Sequence, residues 1–248
     1  MTDALGYRLK IGTIAPSTNT IVQPEFSFMQ PHGVTTHMSR IVTPNVSLTS
    51  DEDFTAHIER MRSGMNLAID RLMTSQPDCL ANGLSLEAFW EGLEGSLKLV
   101  EQIERDYGIK CSMGNNAILK ALETLNIKSK ISIITPHKPL GDQKVREFFS
   151  QAGYDVVDLF SFNINKPVDI CHVNQTDLIK AINLLNKKEP EAIIQVGTGL
   201  SMAKLAGVAW QWLNKPVIAI NTSIFWHALR NNGIQDKVSG FGPLLDKY

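Results

Sequence analysis

Lys130-Ile131-Ser132-Ile133-Ile134-Thr135-Pro136-His137 restates, 120 residues later, Lys10-Ile11-Gly12-Thr13-Ile14-Ala15-Pro16-Ser17. Each is a short run rich in β-branched residues that ends in proline and a polar residue, which reads as a buried strand entering a turn. A second pair follows in the same order. Pro77-Asp78-Cys79-Leu80-Ala81-Asn82-Gly83-Leu84-Ser85 returns as Pro190-Glu191-Ala192-Ile193-Ile194-Gln195-Val196-Gly197-Thr198-Gly199-Leu200-Ser201, offset by 113 (Glu191 against Asp78). A third matches Ile109–Ile127 with Pro216–Ile234, where Ala121-Leu122 faces Ala228-Leu229. One such match is common among βαβ units, but three in order indicate a duplication. The expected fold is therefore α/β: two similar doubly wound parallel-sheet half-domains related by a pseudo-twofold, with a site in the cleft between them.

Between these strands the pattern turns helical. Ser50 and Asp53 form a capping-box start, and Phe54, Ile58, Met61, Met65, Ala68 and Leu72 recur at spacings of three and four until Gln76-Pro77. A helix is expected around Gly95–Asp106, then a strand over Ile109–Met113, then a helix from Gly114 through Leu125. The expected division is an N-terminal half over residues 1–118 and a C-terminal half over 119–224, with residues 225–248 packing back on the first.

Length and charge narrow the class. A chain of 248 residues can bury a large core without disulfides or metal. With 24 basic and 25 acidic side chains it has no field to hold a polyanion, so no nucleic-acid partner is expected. Apolar runs such as Val217–Ile220 are far short of the roughly 20 residues of a membrane span, so no membrane partner is expected either. Cys79, Cys111 and Cys171 lack metal or redox spacing, and the opening residues lack a secretory pattern, so the expected compartment is the cytoplasm. No GxGxxG or phosphate loop is present, and His32 and His37, placed in a loop, have no acidic neighbour. The expectation is no cofactor and no metal.

Parallel α/β sheets bind ligands beyond the carboxyl ends of their strands. There this chain places Pro16-Ser17-Thr18-Asn19, Gly83-Leu84-Ser85, Pro136-His137, Gly197-Thr198-Gly199 and Asn221-Thr222-Ser223. Hydroxyls, amides and free N–H groups at helix starts cradle anions, and glycines beside them let backbone approach a ligand closely. Helix capping accounts for some of these residues. Two such cradles facing one another suit a small carboxylate.

These loops resemble the aspartate/glutamate racemase superfamily, in its maleate cis–trans isomerase and arylmalonate decarboxylase branch, over nearly the whole chain. Ile14-Ala15-Pro16-Ser17-Thr18-Asn19-Thr20 is similar to the isomerase opening, including its carboxylate-contacting asparagine. Leu84-Ser85-Leu86-Glu87-Ala88-Phe89-Trp90-Glu91-Gly92, Cys111–Leu122, Phe225–Arg230 and Gly240-Phe241-Gly242 resemble decarboxylase segments. The family's two cysteines would fall on Leu84 (or Gly83) and on Gly197, so both thiols are absent. The family's carboxylate-holding tyrosine corresponds to His137, and Ser85 to a hydroxyl of the dioxyanion hole. Cys171 matches a pocket-lining position, Asp169 and His172 share its loop, and His227 beside Trp226 has a structural place.

The resemblance implies a cofactor-independent lyase or isomerase acting on a small mono- or dicarboxylate through an enediolate, as a homo-oligomer. His137, Ser85 and Cys171 are the expected catalytic residues. Ser17, Asn19, Leu84, Ser85, His137, Thr198 and Gly199 are expected to bind substrate. His137 would either transfer the proton or only hydrogen-bond the carboxylate. A hydrolase or hydro-lyase using His137 and Ser85, and a degenerate carboxylate-binding protein, are the alternatives.

Overall fold

The computed structural model describes residues 3–248. Strands β1 (Leu9–Pro16), β2 (Val34–Ile41), β3 (Cys79–Ala81) and β4 (Lys110–Ser112) form one sheet in the order β2-β1-β3-β4. Strands β5 (Lys130–Thr135), β6 (Asp155–Ser161), β7 (Ala192–Gln195) and β8 (Val217–Ala219) form a second, in the order β6-β5-β7-β8. Every pairing is parallel, so helices must carry the chain back between strands. Helices α1 (Val22–Met29), α2 (Asp51–Met73) and α3 (Gly92–Tyr107) do so in the first half, and α4 (Gly114–Thr124) leads to the second. There α5 (Pro139–Gln151), α6 (Gln175–Asn186) and α7 (Ala203–Leu213) are the crossovers, followed by α8 (Ile220–Asn231) and α9 (Pro243–Asp246). The two sheets are thus the expected pair.

Strand register makes the duplication quantitative. Ile11 pairs with Cys79, and Ile131 pairs with Ala192, reproducing the offsets of 120 and 113. The third repeat is different. Leu80 pairs with Cys111 while Ile193 pairs with Val217, so its offset is 106, one less than the sequence match implies. A three-residue strand buried on both faces has no apolar–polar alternation to mark its register.

Local chemistry explains most elements. Ser50 Oγ accepts from the Asp53 N–H at 3.2 Å, Asp53 Oδ2 accepts from the Ser50 N–H at 3.3 Å, and the stripe from Phe54 to Leu72 is buried. Two elements lie where none was expected. The buried face of α1 is Val22, Glu25, Phe26 and Met29, and a carboxylate within it hides the period. Strand β2 is a polar edge strand, so His37 stands on a strand rather than in a loop, with Nε2 2.9 Å from Thr35 Oγ1.

The halves share one core. Phe89 of the first packs on Phe148 and Phe149 of α5, with ring centroids 4.9 and 5.8 Å apart, and all three are fully buried. Helix α8 lies against α4, α1 and β4, and α4 itself runs through residue 118. A smaller cluster including Leu178, Ile182, Ile193 and Leu205 fills the space under α6 and α7.

Gly207 shows how tightly the C-terminal segment closes on α7. A Cβ there would sit 2.7 Å from the Gly242 nitrogen and 2.9 Å from the Phe241 carbonyl carbon. Helix propensity favours alanine by about 1 kcal/mol, but the opposing atoms are backbone and cannot rotate away. Gly207→Ala is therefore expected to lose about 1–3 kcal/mol of stability in urea titration. A gain in stability would show that the segment yields.

Candidate active site

In a β2-β1-β3-β4 sheet the connections leave β1 and β3 in opposite directions, opening a crevice at their carboxyl ends. The second half has its crevice between β5 and β7. The four loops that follow these strands meet at one cavity of about 90 Å³. A water occupies roughly 10–15 Å³ by this measure, so the space takes a molecule of only a few heavy atoms. Apolar side chains of Leu48, Phe54, Ile58, Leu86, Ile164 and Ile170 form much of its wall.

The polar wall comes from both halves. Ser85 Oγ and His137 Nε2 share a hydrogen bond of 3.3 Å across the cleft. Whichever donates, the pair keeps one hydrogen free for a ligand, on the hydroxyl or on the other ring nitrogen. Thr198 donates to the Gly83 carbonyl at 2.9 Å and accepts from Asn19 Nδ2 at 3.1 Å. Its hydroxyl hydrogen is committed to joining the halves. Asn19 Oδ1 meanwhile caps α1 through the N–H groups of Ile21 and Val22, leaving only one amide hydrogen to spare. Backbone adds further donors. Among the described residues the N–H groups of Thr198 and Gly199 have no acceptor, although both residues are buried on the cavity wall. Buried unpaired N–H groups are rare, and water or an anion satisfies them.

Three expected residues do not line the cavity. Ser17 Oγ accepts from the Thr43 N–H at 2.9 Å, outside it, and ties down the loop after β2. Leu84 is fully buried, and its N–H donates to Asn82 Oδ1. Cys171 stands on the 3-10 turn Pro167–His172 with Sγ 3.5 Å from the Thr20 nitrogen and 3.8 Å from the Thr18 carbonyl oxygen, while its neighbour Ile170 takes the wall. On that turn His172 Nδ1 lies 3.4 Å from Asp169 Oδ1, with both side chains exposed. His227 is buried on α8 and bonds Ser112 Oγ at 2.8 Å. Cys79 and Cys111 are buried strand residues whose thiols burial pushes up, Cys79 to about 12.

Gly197, where the resemblance would put a thiol, has no room for one. Its φ is +140°, and a Cβ there would lie 2.5 Å from the Pro136 ring. No side chain fits that seat.

Two site residues carry no clear mark in the sequence. Glu87 stands on the 3-10 turn Leu86–Ala88, and His57 extends from α2; both line the cavity. The one available signal for Glu87 was a carboxylate inside the apolar run Leu84–Trp90. Burial governs the charge of all three titratable wall residues. It pushes the His137 imidazole down to about 3, lowers His57, and raises the Glu87 carboxyl to about 7. Among the described residues no lysine or arginine lines the cavity. Arg40 instead holds the β1–α1 loop from behind, donating to the Pro16 and Asn19 carbonyls.

Comparison with known proteins agrees with this architecture. The maleate isomerase of Alcaligenes faecalis is 24% identical over 257 residues, covering 95% of this chain and 96% of that protein. A variant of the Nocardia farcinica maleate cis-trans isomerase, solved with a covalently bound succinylcysteine intermediate, superposes with a TM-score of 0.86 at 16% identity, over 97% of this chain and 99% of that one. An arylmalonate decarboxylase structure gives 0.75 at 18% identity over 96% and 100%. The sequence profile of the arylmalonate decarboxylase family runs from residue 11 to residue 245, through both sheets and all four loops of the cavity, and the chain belongs to that family.

Proposed function

We propose that the chain is a cofactor-independent enzyme that binds a small malonate-type dicarboxylate between its halves and removes carbon dioxide from it through an enediolate of the remaining carboxylate. The observation that carries this reading is that the Ser85–His137 pair and the residues of the unpaired Thr198 and Gly199 N–H groups line one small cavity with a largely apolar wall. Neutral donors in a dry site stabilise negative charge as it develops on a carboxylate oxygen, and in many enzymes nothing else lowers the barrier as much.

The placement of the thiols supports decarboxylation over isomerisation. The Nocardia relative carries its intermediate on a cysteine. None of the three cysteines here lines the cavity, so an adduct of that kind has no nucleophile. Decarboxylation needs no nucleophile, only charge stabilisation and one proton. A hydrolase would need a carboxylate to orient His137. Asp142, on the helix that follows His137, bonds Thr135 Oγ1 instead. His137 itself serves as a neutral hydrogen-bond donor. A bound carboxylate raises a neighbouring base by about 1–3, which from about 3 still leaves the ring uncharged at neutral pH.

Malonate, methylmalonate, phenylmalonate, maleate and fumarate would be screened by thermal shift, then followed by proton NMR in deuterated buffer. Expected is loss of carbon dioxide from a small malonate with one deuterium at the α-carbon, and at least tenfold slower reaction of phenylmalonate. Hydration of maleate or fumarate would support the hydro-lyase alternative, and binding with no bond change would mark a binding protein.

A further inference from the structure

We infer that Glu87 is the acid of this site: it meets the bound carboxylate as a neutral carboxylic acid and delivers the proton to carbon. This inference rests on the proposed decarboxylation and names the group that completes it.

The geometry singles out this residue. Glu87 is 6% exposed and lies on the cavity wall two residues from Ser85. Among the described residues no other side chain hydrogen-bonds its carboxyl, which folds back toward the N–H groups of Ser85 and of Glu87 itself. Glu87 shares the cavity wall with Ser85 and His137. The cation acting on it is Arg62 of α2, which is already ion-paired with Glu91. Helix α5 approaches the turn through Gly141 against Leu86, and its Lys144 ammonium lies 5.8 Å from the Trp90 ring centroid. The other titratable residues of the wall, His57 and His137, are imidazoles whose pKa burial lowers. No lysine or arginine of the described wall offsets an ionised Glu87, and burial outweighs the two N–H groups that favour its charge.

A second carboxylate entering such a cavity cannot coexist with the first in ionised form, because two like charges in a desolvated site force one to hold a proton. The substrate's remaining carboxylate is held by the neutral donors, so the proton resides on Glu87. The step then balances. The bond from the α-carbon to the departing carboxylate breaks, carbon dioxide leaves, and the electron pair of that bond passes to the α-carbon and the remaining carboxylate. The Glu87 O–H bond breaks, its proton forms the new C–H bond, and Glu87 is left as a carboxylate. Solvent reprotonates it after product departs.

The acid must be protonated in the free enzyme, so kcat/KM should fall as pH rises through about 7. Three measurements test the assignment on the full chain. Infrared difference spectra of the ligand-free protein at pH 6 should show a protonated carboxylic acid band that Glu87→Gln lacks. Calorimetric binding of malonate at pH 8, in buffers of differing ionisation enthalpy, should show uptake approaching one proton in the wild type and His137→Gln, and none in Glu87→Gln. Decarboxylation in Glu87→Gln should drop by about 10²–10⁴-fold with malonate still bound. An absent band, or proton uptake or turnover in Glu87→Gln equal to wild type, overturns the assignment and leaves the carboxylate site standing. Failure of wild type to bind any small carboxylate overturns both.

Discussion

His137→Gln is expected to keep decarboxylase activity within about tenfold of wild type, whereas His137→Leu is expected to lose about 10²–10³ in kcat. The asymmetry follows from protonation. Burial holds the imidazole near 3, so at neutral pH it offers a hydrogen bond and not a proton. A glutamine amide also offers N–H at the end of a side chain of similar reach, so it can replace a donor. Leucine can replace neither the donor nor the partner of Ser85. The measurement is kcat and KM for both variants on whichever small malonate the wild type turns over, with melting temperatures to show that the fold survives. Equal and severe losses in both variants would mean that the ring itself moves a proton, and the neutral-donor role would be withdrawn.

Phe89→Ala is expected to cost about 3–5 kcal/mol of stability. The ring is fully buried and lies edge-on to Phe148, with Phe149 at 5.8 Å, so three aromatic rings from two half-domains share one packing site. Truncation removes the transfer energy of the ring and leaves a cavity that the two sheets, held by backbone bonds, cannot collapse to fill. For a chain of this length that loss lowers the melting temperature by on the order of 10 °C. Phe89 also directly follows the turn that carries Glu87, so the variant should lose ligand binding together with stability. A melting temperature within 2 °C or so of wild type would show that the halves are held by contacts other than this cluster.

The architecture was legible because it is written twice. Strand identity comes from local runs such as Lys130–Thr135, and repetition at matched offsets orders those runs into two sheets without any knowledge of long-range contacts. The capping box at Ser50 and the stripe of α2 are equally local. The loops that meet at the cavity follow from strand direction and order, so Asn19, Ser85, His137 and Thr198 could be placed there in advance.

What the chain's linear pattern leaves open is where each side chain of those loops points and which protons it holds. Ser17 and His137 occupy equivalent places in the repeat, yet one hydroxyl turns to Thr43 and one imidazole faces the cleft. At Gly197 the Pro136 ring occupies the space of a Cβ, a contact between the loops after two neighbouring strands that no motif encodes. Glu87 reads as a misplaced charge in an apolar run, and becomes an acid only once the two halves close over it and remove water. Period and repeat are properties of adjacent residues and survive in the sequence. Direction, desolvation and pKa arise from atoms brought together across half the chain, and only folding assembles them.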